Sequence, residues 1–474
     1  MIDNKIVPEV PGGLIEGKVE GYNYFLNPRG HHGVLVFLGD AIDVFQNCKR
    51  NLSLQEIKNI IPWAPKNPQR LEQILTALGK LEIIDLGKDF SERLKTERQQ
   101  NKKKQMMVWL QLTDTCNLDC GYCYIKKQLT YMGLELAKKL IVKIVSDCGK
   151  NGFGEVVIKL AGGEPALRWN EGKTLIDWAT TYFVDSAPRV RFHIITNGTL
   201  LPLSLIEYIS SGKVNISISL DGTEKWHNKQ RRYINGSGSF RDVDRNINKL
   251  LSVGVHPYIL TTVTKNNVCG ITKLAEYCIQ RDLSFRFSFY REVPNSPDDL
   301  KNDNLQLTRE LLRCYEWMGS NLPNRSLYQF HKFGDMNLKI PKIRGCGIGV
   351  NGLTLTSDGK VCICQYEMSN PLGNALKNNV IQLITDQNHY SLAENRIEQI
   401  PVCQDCKWRF VCGGGCPFLT KRHYGSFKHP SPYCEVYKSV LPILVELHAL
   451  QLIRKFQKEG GVQNEGTGYF NAVQ

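Results

Sequence analysis

Three cysteines stand in the spacing CxxxCxxC at Cys116, Cys120 and Cys123, a few residues after the apolar run 106–110. The run has the length and composition of a buried β-strand, so the cysteines lie in the loop that follows it. Thiolates are ligands for iron–sulfur clusters, zinc or copper(I). A cubic [4Fe–4S] cluster takes four ligands and this loop offers three, which leaves one iron for a substrate or cofactor. A zinc site and three buried thiols are the alternatives, and the spacing is unusual for zinc.

The stretch 113–124, which reads TDTCNLDCGYCY, resembles the signature loop of the radical S-adenosylmethionine (SAM) superfamily. The resemblance implies that the open iron is chelated by the amino and carboxylate groups of SAM. It also implies that one electron from the cluster cleaves SAM to a 5′-deoxyadenosyl radical, which abstracts hydrogen from an unactivated C–H bond. Cys116, Cys120 and Cys123 are then the catalytic cluster ligands, and the protein orients the reactants and excludes water.

The chain has 474 residues and 42% hydrophobic content, enough to bury a large core in about two to four domains. It shows no apolar run of about 18 residues and no N-terminal signal pattern, so we expect a cytoplasmic protein without a membrane partner. Sixteen cysteines in such a chain indicate metal rather than disulfides. The net charge of +14 implies acidic partners such as nucleic acid, anionic lipid or an acidic peptide.

Residues 1–92 are expected to form a separate unit, followed by a basic linker over 93–105. The unit has two strand patterns, three helical patterns and an apolar stretch, 81–86, that could return as a final strand. Asp40 and Ser53 are plausible N-caps. The strand patterns are 22–26 and 33–38, and the helical patterns are 40–48, 53–60 and 68–79.

This order resembles the winged-helix RiPP recognition element, which holds the leader segment of a ribosomal precursor peptide as an added strand at the sheet edge. A plain winged-helix or packing role is an alternative. DNA binding is another, but the helix 68–79 carries only Arg70 and Lys80 near its ends, which is little for phosphate contacts.

From 106 to 290 the chain alternates short apolar runs with helical patterns, as βα units around a parallel sheet do. This resembles the partial (β/α)6 TIM barrel of the radical SAM type, an α/β fold in which the chemistry lies at the C-terminal ends of the strands. The predicted strands are 106–112, 155–160, 190–195, 214–220, 257–263 and 284–289. The predicted helices are 133–148, 172–183, 201–210, 239–252 and 270–281.

Motifs after these strands match further radical SAM segments, and the resemblance implies that they bind SAM. The GGEP segment, Gly162-Gly163-Glu164-Pro165, would hold the SAM amino group. Ser219, at the end of the fourth strand, would contact the ribose or carboxylate. Arg231, four residues after His227, could pair the SAM carboxylate; a structural salt bridge is the alternative. Thr196-Asn197-Gly198 and Ser219-Leu220-Asp221-Gly222 resemble the family's TNG and SLDG segments; turn chemistry and capping are the alternative, for Asp221 in particular. The residues expected at the cofactor are Gly162, Gly163, Glu164, Asn197, Ser219 and Arg231.

A second cysteine group begins at Cys346 and continues as Cys364, then C-x2-C-x5-C-x3-C over 403–416, then Cys434. A two-zinc ribbon is the competing interpretation, since C-x2-C pairs also hold zinc. The whole spacing, with Gly359 between the first two cysteines, resembles the seven-cysteine SPASM pattern. The resemblance assigns two auxiliary [4Fe–4S] clusters, three in total with the SAM cluster. The ligands would be Cys346, Cys364 and Cys416 for the first, and Cys403, Cys406, Cys412 and Cys434 for the second.

The first auxiliary cluster is therefore one cysteine short. Either an iron stays open for substrate, or Cys362 or another side chain completes the set. Sulfatase-maturing relatives carry an aspartate directly after the cysteine equivalent to Cys364, and here that residue is Gln365, which argues against formylglycine formation. Glu367 and Tyr366 are candidate proton acceptors, with a packing or surface role as the alternative.

The predicted domains are completed by a bridging region at 291–345 with a helical stretch near 305–320, a SPASM domain at 346–440, and a C-terminal helix and loose tail at 441–474. The predicted function is modification of a ribosomally made precursor peptide, with C–C (cyclophane) or C–S cross-linking favoured. Backbone excision, epimerisation, maturation of another protein or cofactor, and a non-enzymatic DNA-binding redox sensor are the alternatives. The expected partners are the precursor peptide, held by the N-terminal domain, and an electron donor such as flavodoxin or ferredoxin; nucleic acid is disfavoured.

Overall fold

The computed structural model of the chain contains an N-terminal unit, a parallel sheet wrapped by helices, and a cysteine-rich region that continues the same sheet. The described residues are 3–88, 92, 104–293, 298–323, 332–333, 336–338, 341–386, 395–458 and 469–471. The predicted basic linker falls almost wholly outside these ranges.

The N-terminal unit is an antiparallel sheet followed by three helices. The two predicted strands and the three predicted helices are confirmed. The first strand was not predicted, because Gly17 interrupts its alternation of apolar and polar residues. The strands are β1 Ile15–Val19, β2 Tyr22–Leu26 and β3 Val34–Phe37, and the helices are α1 Asp40–Cys48, α2 Leu54–Ile60 and α3 Pro68–Lys80.

Two local predictions in this unit are wrong. Asp40 is not an N-cap: Gly39 takes that position and Asp40 is the first helical residue, where its charge favours the helix dipole and pairs with Arg70. The stretch 81–86 is not a strand, because Glu82 adopts a positive φ of 58° that breaks the extended run. Its apolar side chains instead fill the core of the unit. Ser53 does cap α2, through a capping box with Glu56.

The N-terminal sheet is buried on both faces. Phe25, Leu35 and Phe37 pack against the helices of the unit. Residues that alternate with them, such as Val34 and Val36, belong to the core of the rest of the chain. Burial on both faces explains why β3 is a continuous apolar run rather than an alternating one.

Six parallel strands form the central sheet in sequential order, and each is followed by at least one helix. All six strands and all five helices predicted for this region are confirmed. The strands are β4 Lys104–Thr113, β5 Phe153–Gly162, β6 Arg189–Thr196, β7 Val214–Ser219, β8 Tyr258–Val263 and β9 Phe285–Phe289. The helices are α4 Leu134–Lys150, α5 Trp169–Tyr182, α6 Leu203–Ser210, α7 Glu224–Gln230, α8 Phe240–Ser252, α9 Ile271–Gln280 and α10 Asn304–Asn321.

The cysteine-rich region extends this sheet instead of forming a detached unit. One strand of this region, Gly352–Leu355, runs parallel to β4, with Thr354 opposite Trp109. Two more strands continue the sheet beyond it. These strands are β12 Gly352–Leu355, β13 Lys360–Cys362 and β14 Gly373–Asn374. Before them, β10 Lys332–Phe333 and β11 Met336–Asn337 form a separate antiparallel pair. The helices are α11 Val380–Thr385, α12 Pro401–Gln404, α13 Arg409–Cys412, α14 Pro417–Tyr424 and α15 Cys434–Lys458.

Helix α15 is the predicted C-terminal helix, and it contacts both α10 and the N-terminal sheet. By length and composition it is the one helix among the described residues that could cross a membrane. However, 67% of its most apolar stretch is buried inside the protein, as in the core helix of a soluble protein. Arg454 near its end forms an ion pair with Glu20 of the N-terminal unit.

The tail predicted to be loose contains a strand. Residues Tyr469–Asn471, here β15, pair antiparallel with β3 and complete a four-stranded sheet in the order β1-β2-β3-β15. The rest of that tail, 459–468 and 472–474, lies outside the described residues.

Asp147 connects the barrel to the cysteine-rich region, and its removal should loosen α11. This buried carboxylate accepts from Lys143 Nζ and, at 2.9 Å, from the backbone N–H of Val380. Asp147→Ala leaves that N–H without its acceptor, at a cost of about 1–3 kcal/mol. We expect faster amide hydrogen exchange at the start of α11. The control is Glu135→Ala, which removes an exposed ion pair with Lys138 on the same helix and should change little. Equal exchange in both variants would contradict the assignment.

Candidate active site and cluster sites

The CxxxCxxC loop is anchored at the C-terminal end of β4. Thr113 Oγ1 donates to the carbonyl of Thr130 at 2.7 Å, which fixes the start of the loop against its own exit. The backbone N–H of Asp119 donates to the carbonyl of Arg232 at 2.7 Å. The three cysteines are therefore held between their own strand and the segment that follows α7, at the end of the barrel where the sequence predicts the chemistry.

The two glycines of GGEP let the end of β5 approach this loop closely. A Cβ atom on Gly162 would collide with the carbonyl oxygen of Thr113, and one on Gly163 would collide with that of Thr115. With glycine at both positions, the N–H of Gly163 donates to Thr113 O at 2.7 Å and the N–H of Glu164 to Thr115 O at 2.8 Å. Any other residue would push the cluster loop away from β5.

Glu164 is fully buried and joins the ends of β5 and β6. One oxygen accepts from the N–H of Ala166 and from Thr196 Oγ1, and the other accepts from the N–H of Asn197 at 2.6 Å. Burial raises the pKa of this carboxyl to about 7, against the opposing effect of these hydrogen bonds. The carboxylate thus has a positioning role, and its predicted contact with the SAM amino group remains a prediction.

Asn197 lies against the cluster loop. Its Nδ2 donates to Asn117 Oδ1 at 2.8 Å and lies 3.8 Å from Cys116 Sγ. Its Oδ1 accepts from the N–H of Thr199 at 2.9 Å, which fixes the orientation of the amide. An N–H donor directed at a cluster sulfur is one of the means by which proteins set cluster potentials. Asn197 is therefore positioned to influence the cluster.

Asp221 organises a buried network that the sequence analysis missed. Its Oδ2 accepts from Tyr122 OH, in the cluster loop, and from Arg231 Nε at 2.7 Å. Arg231 Nη1 in turn lies 3.9 Å from Cys120 Sγ. The salt bridge that was the alternative for Arg231 is thus present, and binding of the SAM carboxylate by its remaining nitrogens stays a prediction. The sequence analysis had named Asp221, two residues after the end of β7, but had not paired it with Tyr122 or Arg231.

His227 holds the backbone of Asp221 in the same network. Its Nδ1 accepts from the N–H of Asp221 at 3.3 Å, and its Nε2 bonds to Ser239 Oγ at 3.0 Å. Burial, together with Arg231, lowers the pKa of His227 to about 3, so the ring is neutral. Ser219 lies partly exposed at the end of β7, which is compatible with its predicted contact with SAM.

A polar row lines the inner face of the sheet below these motifs. Alternation along each strand directs one set of side chains to the outer helices and the other set to the barrel interior. His193 Nε2 bonds to Ser217 Oγ at 2.8 Å, and burial, with Lys159 beside it, lowers the pKa of His193 to about 4. The row consists of Lys159, His193, Ser217, Tyr258 and Arg286. The sequence analysis did not identify this polar row.

The four cysteines assigned to the second auxiliary cluster line one cavity. Cys403, Cys406, Cys412 and Cys434 meet there, with Trp408 as an apolar wall. Two come from the short turns at α12 and α13, and Cys434 is the first residue of α15. Four thiols around one cavity fit a fully ligated [4Fe–4S] cluster.

The cysteines assigned to the first auxiliary cluster are neighbours as well. Burial raises the pKa of the Cys364 thiol to about 12, and nearby Cys416 adds to the rise. Gly345 abuts the carbonyl of Gly415, which brings the adjacent Cys346 to the same segment. Cys362 is placed differently: it is fully buried in the core, with its Sγ 3.8 Å from Met368 O. The first auxiliary site therefore offers three cysteine thiols to a cluster, without Cys362.

Within the described ranges, no three Cys, His, Asp or Glu side chains converge as the ligands of a single metal ion would. Ligands of a cubic cluster bind separate irons at its corners, so they need not converge on one point.

A pair of aromatic rings connects the CxxxCxxC loop to the first auxiliary site. The rings of Tyr124 and Tyr366 have their centroids 4.8 Å apart, and Arg291 lies over the Tyr366 ring. Tyr366 is two residues after Cys364, so the pair joins the two cluster sites. Next to it, Glu367 is buried and ion-paired with Arg422. This gives Glu367 a structural partner, and its role as a base remains a prediction.

Comparison with known proteins identifies the two cysteine regions. The sequence profile of the Radical SAM superfamily matches residues 110–278, and that of the SPASM iron–sulfur cluster-binding domain matches residues 346–407. The chain carries a radical SAM domain followed by a SPASM domain. It is thus a radical SAM enzyme, and the predicted fold class is confirmed.

The proteins similar to this radical SAM/SPASM chain are named for different targets. A cysteine-type anaerobic sulfatase-maturating enzyme from Clostridium perfringens is 23% identical over 345 residues, covering 68% of this chain and 91% of the relative. The structure of anSMEcpe with AdoMet and the Cp18Cys peptide aligns with a TM-score of 0.61 at 21% identity, over 72% of this chain and 98% of that one. The structure of Streptococcus suis SuiB bound to precursor peptide SuiA aligns with a TM-score of 0.54 at 15% identity, over 90% and 100%.

Glu164→Gln should weaken SAM binding by the radical SAM domain. The amide supplies only one acceptor oxygen, so at least one N–H that now donates to Glu164 loses its partner, at about 1–3 kcal/mol. We expect an increase of about tenfold or more in the SAM dissociation constant, measured by titration of the reconstituted, oxygen-free protein. Glu171→Gln, which alters an exposed ion pair on α5, is the matched control. Unchanged SAM affinity in Glu164→Gln would contradict the positioning role.

Cys364→Ser and Cys362→Ser test the ligand set of the first auxiliary site. The first variant should lose about four irons per chain, one cluster's content, because a predicted ligand is removed. The second should keep its iron, because Cys362 lies in the core. Iron analysis and Mössbauer spectra of the two reconstituted variants provide the measurement. Iron loss in Cys362→Ser without unfolding would make Cys362 the missing ligand.

Proposed function

We propose that this enzyme modifies a ribosomally synthesised precursor peptide by forming a C–C (cyclophane) or C–S cross-link. The observation that carries the proposal is the extent of the structural similarity: SuiB, solved with a precursor peptide, aligns over 90% of the chain, whereas anSMEcpe aligns over 72%. The chain also has the N-terminal unit, residues 3–88, which precedes the radical SAM match. A separate sheet at that position supports leader binding by strand addition.

The residues of the barrel would hold the SAM cluster and its cofactor. Cys116, Cys120 and Cys123 would bind a [4Fe–4S] cluster, and SAM bound to its open iron supplies a 5′-deoxyadenosyl radical that removes hydrogen from a C–H bond. The backbone of Gly162 and Gly163 sets the path of the cluster loop. Asn197 and the Asp221–Arg231 pair fix the surroundings of two of its sulfurs.

The auxiliary sites would take up the electron that cross-linking releases. Forming a bond between two peptide atoms removes two hydrogens: one leaves as a hydrogen atom, the other as a proton and an electron. The Tyr124–Tyr366 pair places the Cys364 site beside the CxxxCxxC loop, which supports a first auxiliary cluster as the acceptor. A flavodoxin or ferredoxin would supply the electron for SAM cleavage.

The first auxiliary site also offers a route to C–S bond formation. Three thiols leave one iron of a cubic cluster without a cysteine, and a peptide thiolate is a ligand that such an iron accepts. The burial of Cys362 in the core supports the open-iron alternative.

Sulfatase maturation is a second candidate, favoured by the sequence relatives. Against it stands Gln365, at the position where the resemblance to sulfatase-maturing enzymes implies an aspartate that acts as a base. The ion pair of Glu367 with Arg422 gives no obvious replacement. Epimerisation would need a cysteine hydrogen donor, and the candidates Cys362 and Cys314 are both fully buried. The burial of α15 in the core argues against a membrane span, and the cytoplasmic location is part of the proposal.

Activity with a precursor peptide tests the proposal. Reconstituted enzyme, with about twelve irons per chain for three clusters, should form 5′-deoxyadenosine and a peptide lighter by two hydrogens. Cys116→Ala should abolish both products, whereas Cys412→Ala should still cleave SAM but lose the peptide product. Cys269→Ser, at an exposed cysteine, is the control. Conversion of a sulfatase peptide to formylglycine, with no change in precursor peptides encoded nearby, would favour the second candidate.

A further inference from the structure

The strand β15 occupies the outer edge of β3. Phe470 lies opposite Val36, with Tyr469 opposite Phe37 and Asn471 opposite Leu35. The sheet order is β1-β2-β3-β15, so without β15 the edge of β3 would expose backbone N–H and C=O groups. An exposed strand edge of this kind is a template for pairing with another extended chain.

An extended peptide could join β3 only along its edge, because both faces of the N-terminal sheet are covered. One face of the N-terminal sheet is covered by α1–α3, and the other face is covered by the core that includes α15. Helix α15 also contacts β15, so it forms one wall of the slot in which that strand lies. A peptide joining the sheet at β3 would have to take the place of β15.

The attachment of β15 is short. It comprises three residues, and ten residues, 459–468, separate it from the end of α15. A three-residue strand contributes few hydrogen bonds, so its release costs much less than unfolding of the sheet. A short tether of this kind gives an effective concentration of the order of millimolar, enough to keep a weak strand in place until a competitor arrives.

We propose that β15 is an internal stand-in for the precursor peptide, which binds the edge of β3 as an antiparallel strand only after β15 leaves. The inference rests on the proposed function for the identity of the competitor. The competitor is an extended peptide segment whose alternate side chains face α15 and the helices of the N-terminal unit. The high positive charge of the chain, +14, favours acidic residues around that segment.

The test compares the full chain with a chain that ends at Lys458. The probe is a fluorescent peptide of residues 466–474, GTGYFNAVQ, followed by anisotropy. We expect the shortened chain to bind the probe at least about tenfold more tightly than the full chain, in which the tethered strand competes. The same probe with Phe470→Pro should bind neither, because proline removes a backbone donor from the strand. Equal binding of the unmodified probe to both chains, or no binding to either, would overturn the proposal.

Hydrogen exchange provides a second readout that does not depend on the probe's affinity. Those amides of residues 35–37 that point to β15 rather than to β2 should exchange faster in the shortened chain and regain protection when the probe is added. Formation of 5′-deoxyadenosine from SAM should be equal in both chains, which controls for the integrity of the barrel. Unchanged exchange at residues 35–37 would overturn the proposal.

The two proposals fail separately. If strand exchange occurs as expected but no precursor peptide is modified, the proposed function is wrong and the edge of β3 serves another extended peptide. If a precursor peptide is modified with the same affinity by both chains, the enzyme is a peptide maturase and the strand exchange is wrong.

Discussion

The site depends on a contact between two stretches of backbone. The N–H groups of Gly163 and Glu164 donate to carbonyls of the CxxxCxxC loop, and only glycine at 162 and 163 permits that approach. From there the connection continues through the Glu164 carboxylate to the N–H of Asn197, and through the Asn197 amide back to Asn117 in the loop. The ends of three strands and the cluster loop thus form a closed ring of hydrogen bonds. Three sulfurs can surround one cube because their backbone is held from both sides.

The parts of this structure that the sequence predicts are those encoded over short distances. The six barrel strands, their helices and the capping box at Ser53 follow from periodicity and from residues a few positions apart. The resemblance of the cysteine spacing to the SPASM pattern also grouped the four cysteines that line the second auxiliary cavity. The sequence marked Asp221 and Arg231 singly but not their shared contact with Tyr122, which is up to 109 positions away in the chain. The prediction of a strand at 81–86 was wrong because its apolar residues suit a strand, whereas the backbone turns at Glu82.

Helix α15 connects the cysteine-rich region at the end of the chain to the N-terminal unit. It begins at Cys434, a predicted ligand of the second auxiliary cluster, and its other end pairs with the N-terminal unit through Arg454 and Glu20. Along its length it contacts α10 and the strands of the N-terminal sheet. One continuous helix therefore connects the unit where a peptide would be held with the second auxiliary site. This explains why so much of the helix is buried although it lies outside the barrel.

The parallel pairing of β12 with β4 has a consequence for electron transfer. Because Thr354 lies opposite Trp109 in one hydrogen-bonded sheet, the segment from Cys346 to Cys364, which contains β12, is fixed to the strand that precedes the CxxxCxxC loop. Under the proposed function, the distance between clusters held at these two sites would be set by the register of the sheet. The rate of electron transfer between them would then not depend on which peptide is bound.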